Sequence, residues 1–75
     1  MRISELQSKD VVNTLDGKNV GRIIDIDISD SGVINSFIVE PKKYLKRMSI
    51  YNNEILIKYA DIVKIGKDVI LVNFQ

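Results

Sequence analysis

The chain contains no cysteine, no histidine and no tryptophan, and one proline among 75 residues. Without cysteine there is no disulfide framework and no thiol nucleophile, which fits a reducing compartment. Without histidine the commonest general base near neutral pH and the commonest metal ligand are both missing. Long apolar runs are missing too. The longest, Val69-Ile70-Leu71-Val72, is far short of the roughly 20 residues that cross a bilayer as a helix, so no transmembrane segment is expected. The start, Met1-Arg2-Ile3-Ser4-Glu5, has no apolar core of a signal peptide, and a cytoplasmic location is expected. Helix formers are scarce: leucine and alanine occur only at Leu6, Leu15, Leu45, Leu56, Ala60 and Leu71.

What the chain does have is isoleucine and valine, β-branched residues suited to a pleated, half-buried surface. The length allows a single domain over residues 1–75, burying about 60–65% of the surface of its unfolded chain. Stability must therefore come from packing or self-association. Eleven basic and ten acidic residues leave a net charge of +1, so no global field draws nucleic acid or membrane. Any electrostatic bias is local.

Ser4-Glu5-Leu6-Gln7 has capping-box spacing, and one helical turn is expected to place Ile3 and Leu6 against the core. Asp10–Asn13 reads as a short strand, and Leu15-Asp16-Gly17-Lys18 as a tight turn. In Ile24-Asp25-Ile26-Asp27-Ile28, apolar and acidic residues alternate, which predicts three isoleucines on one face and two aspartates on the other. Gly21 before it predicts a bulge or a close backbone approach. Asp30-Ser31-Gly32 closes a hairpin to Val33–Val39, a strand apolar on both faces and ended by Pro41. Glu54–Lys58 reads as another strand, Tyr59-Ala60-Asp61 as a turn, and Ile62–Ile65 with Val69–Phe74 as a closing hairpin. About six short strands and no long helix predict an all-β fold, a small six-stranded antiparallel barrel that hides its own edges.

Two stretches carry a recognisable pattern. One is Asp16-Gly17-Lys18-Asn19-Val20-Gly21-Arg22-Ile23-Ile24-Asp25-Ile26 and the other is Ile62-Val63-Lys64-Ile65-Gly66-Lys67-Asp68-Val69-Ile70-Leu71-Val72. With Arg2-Ile3-Ser4-Glu5-Leu6, they resemble the PRC-barrel superfamily, in particular its short stand-alone members of the sporulation-associated YlmC/YmxH type. The resemblance runs over nearly the whole chain. It implies a six-stranded barrel, a docking module linked to sporulation or cell division, and no catalytic residues. Small members often carry Ile-Pro-Trp before the last hairpin, where this chain reads Ile57-Lys58-Tyr59.

Read for chemistry, the residues argue against an enzyme. Asp25, Asp27 and Asp30 could gather oxygen ligands for a divalent cation, but the alternation favours the solvent-facing side of an amphipathic strand. Gly17 and Gly21 precede no helix N-terminus, which excludes a phosphate-binding loop. No cofactor and no metal are expected.

The stretch "PKKYLKRMSI", residues 41–50, holds four cations and no acid. Three readings of it compete: a solvated loop whose lysine stems cover the end of the barrel, a docking site for an acidic protein surface, and a weak, salt-sensitive site for RNA or anionic lipid. The partner-contact residues on the docking reading are Lys42, Lys43, Tyr44, Lys46, Arg47 and Tyr51. An RNA- or ribosome-associated accessory domain using this loop is the rival. Strands apolar on both faces further predict a homodimer, two-fold pairing being the commonest closed assembly.

Overall fold

A computed structural model describes residues 1–41 and 54–74 of the chain. The order of elements is α1 (Ile3–Gln7), β1 (Asp10–Asn13), β2 (Asn19–Ile28), β3 (Ile34–Glu40), β4 (Ile55–Lys58), a 3₁₀ turn (Tyr59–Asp61), β5 (Ile62–Ile65) and β6 (Val69–Val72). The strands form one six-stranded sheet in the order β4-β3-β2-β1-β6-β5.

Turn chemistry explains the local connections. Gly17 takes φ +71° between β1 and β2, where Asp16 Oδ1 accepts from the Lys18 N–H and Asn13 O from the Gly17 N–H. At the β2–β3 turn, Ser29 Oγ accepts from the Val33 N–H and Ser29 O from Gly32, itself at φ +87°. Both are positions that a side chain strains and glycine does not.

All six strands contribute to one interior. Val11, Ile23, Phe37, Val39, Ile57, Ile70 and Val72 are buried there with Leu6 of α1. Ile62 of β5 packs against them. The sheet therefore wraps a shared apolar centre, as β-branched residues spaced in twos require.

Two features of the expected barrel are corrected. β1 pairs with β6 in parallel, Asp10 opposite Val69 through Asn13 opposite Val72, so the sheet is mixed and not all-antiparallel. Nearly the whole chain separates these strands, so no hairpin dictates their direction. The sheet also stays open: β4 and β5 are its two edges and do not pair. The 3₁₀ turn between them redirects the chain. Tyr59 stacks at a tilt on Phe37, ring centroids 6.3 Å apart, and Asp61 O accepts from the Asn73 N–H. The turn is thereby tied to β3 and to the end of β6, and the chain leaves it into β5 at the opposite edge of the sheet.

Side-chain parity is corrected as well. The β2–β3 register slips between Ile23 and Asp25 and again between Asp27 and Ile28. A bulge lets one strand gain a residue and swaps faces beyond it. Ile23 is consequently buried, 3% exposed, while Ile24 is 38% exposed. Ile26 still packs inward, but Ile28 at the strand's end is open. The second slip turns Ile34 toward the core. In α1, Leu6 is buried but Ile3 is 51% exposed. The helix is capped by Glu5, whose Oε1 accepts from the Arg2 N–H, not through the Ser4–Gln7 pair.

Candidate binding surface

Along the chain, the basic stretch falls between β3 and β4. The ladder between these strands runs without slip from Ser36 opposite Lys58 to Val39 opposite Ile55. Strand β3 ends at Glu40, just before Pro41, which removes a ladder donor. Glu54 leads directly into β4. Lys42, Lys43, Tyr44, Lys46, Arg47 and Tyr51 lie outside the described residues, between these two anchors.

The upstream anchor is held by Gly21. Its φ is +135°, and a Cβ there would lie 2.0 Å from the backbone oxygen of Glu40 and 3.1 Å from the Cα of Pro41. Glycine is required on both counts: no side chain fits the space, and L residues rarely adopt the conformation. The expected bulge and close approach both occur, since the β1–β2 register slips between Val11 and Val12 beside it.

The aspartates do not gather into a ligand set. Asp25 Oδ1 accepts from the Ile26 N–H, Asp27 Oδ2 accepts from Asn35 Nδ2, and Asp30 is exposed in the turn. Among the described residues no group of three carboxylates is placed to hold a metal ion.

Sequence reasoning missed the polar residues that the fold buries. Lys9 is 8% exposed, and its Nζ donates to Gly66 O at 2.7 Å and Lys67 O at 2.8 Å. It caps the β5–β6 turn from the far end of the chain. Asn13 is also buried: its Nδ2 donates to Phe74 O, and its Oδ1 accepts from the Leu15 and Phe74 N–H groups. Buried polar groups are retained when their hydrogen bonds are made, and here they tie the chain's two ends together. The available signal was position alone: each polar residue flanks or ends a strand whose neighbours are apolar.

Among the described residues, a groove lies beside Leu56 and Lys58 of β4. Leu56, Lys58, Asp61, Asn73 and Phe74 line it, with a volume of about 450 Å³. Its lining holds no histidine, cysteine or paired carboxylates. The arrangement offers contacts and hydrogen bonds; it does not assemble a nucleophile with a base.

No helix among the described residues is long and apolar enough to cross a membrane. Compared with known proteins, the chain is 45% identical over 74 residues to the "Probable sporulation protein YlmC" of Bacillus subtilis (strain 168), an alignment covering 97% of this chain and 91% of that protein. The family model for the PRC-barrel domain matches residues 1–75. On both grounds, the chain belongs to the PRC-barrel domain family.

Proposed function

We propose that this chain is a non-enzymatic protein-binding and assembly module, acting in the cytoplasm in a sporulation-associated role, with Lys42, Lys43, Tyr44, Lys46, Arg47 and Tyr51 as its partner contact. The observation that carries the reading joins charge to anchoring. Four cations and no acid fall in residues 41–50, and this stretch departs from the end of β3 and rejoins the chain at the start of its ladder partner β4. Loops mounted on a rigid scaffold carry binding function disproportionately.

Two further observations support it. The similarity to a protein named for sporulation extends over almost the whole chain. The buried polar side chains Lys9 and Asn13 spend their hydrogen bonds on the scaffold, which fits a structural rather than a chemical use.

The test replaces Lys42, Lys43, Lys46 and Arg47 together by serine. The variant is expected to keep its circular dichroism spectrum and to release a protein partner that co-purifies with the parent chain. Retention of that partner refutes the assignment of residues 42–47. Titration with a short RNA at two salt concentrations separates the RNA-associated reading, because phosphate contacts weaken steeply with salt.

A further inference from the structure

We propose that β4 is a self-association edge, residues Glu54–Lys58 pairing antiparallel with the same residues of a second copy about a two-fold axis through Leu56. The inference rests on the assembly-module reading and names a surface and a partner for it.

The two edges of the sheet differ. β5 is bulged, its register with β6 slipping between Ile62 and Lys64. A bulge is a device that blunts an edge against further pairing. β4 has no such bulge: its four ladder pairs with β3 are consecutive, and it contains neither proline nor glycine. No strand pairs with its other side among the described residues. Every second N–H and C=O of a strand in that position points away from its one neighbour.

The exposed residues of this edge are self-complementary. Glu54, Leu56 and Lys58 are exposed, whereas Ile57 is buried and Ile55 half-buried. An antiparallel pairing centred on Leu56 sets Glu54 opposite Lys58 of the second copy, and Lys58 opposite its Glu54. Leu56, 53% exposed in the single chain, meets its own counterpart. Ile55 faces Ile57 across the axis on the inner side, so both cores continue through the junction.

Other registers lose this match. A slip of one residue brings Lys58 opposite Ile55 and mixes inner with outer faces, which the period of two forbids. A slip of two in one direction sets Lys58 against Leu56 and Glu54 against Ala60. In the other direction Glu54 falls opposite Leu56. Opposite charges attract across a ladder and like charges repel, so the chain's own charges select one register.

Sedimentation velocity over a concentration series tests the proposal on the full chain, with circular dichroism as a check that each variant is folded. The parent is expected to sediment as a dimer of 8.5 kDa chains. Lys58→Glu sets acid against acid at both ends of the pairing, and Glu54→Lys sets base against base. Each is expected to raise the dimer dissociation constant by about tenfold or more. The combined Glu54→Lys, Lys58→Glu variant restores opposite charges and returns the constant to within about threefold of the parent. A parent that stays monomeric overturns the proposal. So does a dimer insensitive to the single reversals, or a double reversal that fails to restore it. A monomer that still binds its partner through residues 42–47 overturns the edge and leaves the binding-module reading standing. An intact dimer that has no protein partner does the reverse.

Discussion

The β1–β6 clasp and the β2–β3 arm solve the same problem, holding two strands in register, by different means. The arm's strands are neighbours in sequence, and its turn is closed by local hydrogen bonds among Ser29, Ser31, Gly32 and Val33. Its tip is open: Ile28 and Val33 are exposed. The clasp joins the two ends of the chain in parallel, and side chains hold it at both ends: Lys9 on Gly66 and Lys67, Asn13 on Phe74, and Thr14 on Val72. Closing a long loop costs more entropy than closing a short one, although the increase is slow. Parallel pairing is also slightly weaker per residue. Backbone turn chemistry suffices where contacts are local, and buried polar side chains pin the register where contacts are distant.

Strand β2 of the arm also pairs with β1 of the clasp, and Gly21 is the joint between the two regions. It pairs with Val11 of β1 and passes against Glu40 at the end of β3. Gly21→Ala is therefore expected to have the largest effect, about 4 kcal/mol or more of stability, from backbone strain combined with a clash that no rotamer relieves. Small domains possess about 5–15 kcal/mol in all. Urea denaturation at one fixed protein concentration should show a transition largely lost or shifted far downward. A transition within about 1 kcal/mol of the parent would mean that β2 does not approach Glu40 so closely, and the comparison would lose its pivot.

The next effect tests the arm. Ile23 and Ile24 are identical neighbours, the first opposite Val39 and the second the extra residue of a bulge. Ile23→Ala removes atoms from the closed core and is expected to cost about 2–5 kcal/mol. Ile24→Ala, on a partly exposed side chain, is expected to cost less than about 1 kcal/mol. Thermal or urea unfolding of the pair reads the difference directly. The reverse order would put Ile24, Ile26 and Ile28 on the core face together and remove the bulge.

That pair also marks where the sequence could be read and where it could not. Strand positions, the Gly17 and Gly32 turns and the stop at Pro41 follow from residue type and period, because each is a local consequence of backbone sterics. Gly21 announced a close approach for the same reason. The alternation in Ile24-Asp25-Ile26-Asp27-Ile28 was legible, but the slip beside Ile23 was not. A bulge is decided by the partner strand, and two isoleucines in a row fit either parity. The parallel clasp was hidden because its partners are sequence-distant, and because Lys9 and Asn13 look like ordinary surface residues until the chain ends meet. The open seam depended on how a three-residue turn, Tyr59–Asp61, packs on Phe37. For the candidate surface, the charge pattern of residues 41–50 was plain. The near-palindrome Glu54-Ile55-Leu56-Ile57-Lys58 acquires meaning only once β4 is known to be an edge.

The smallest effects probe the clasp one tether at a time. Asn13→Ala leaves the Phe74 N–H and C=O and the Leu15 N–H without the amide that now joins them. Lys9→Met keeps most of the apolar stem and removes the ammonium from two turn carbonyls. Each is expected to cost about 1–3 kcal/mol, the penalty of partly buried groups losing their partners. The tethers stand at opposite ends of β1, about 13 Å apart at strand rise, and they share no hydrogen-bond partner. If they act as separate pins, the double variant should lose the sum of the two costs within about 0.5 kcal/mol. A double variant that loses much less would show that breaking one pin already frees the other, so that the chain ends dock as one unit. Register would then be set by the apolar contacts of Val11, Ile70 and Val72, and the side-chain hydrogen bonds would only follow.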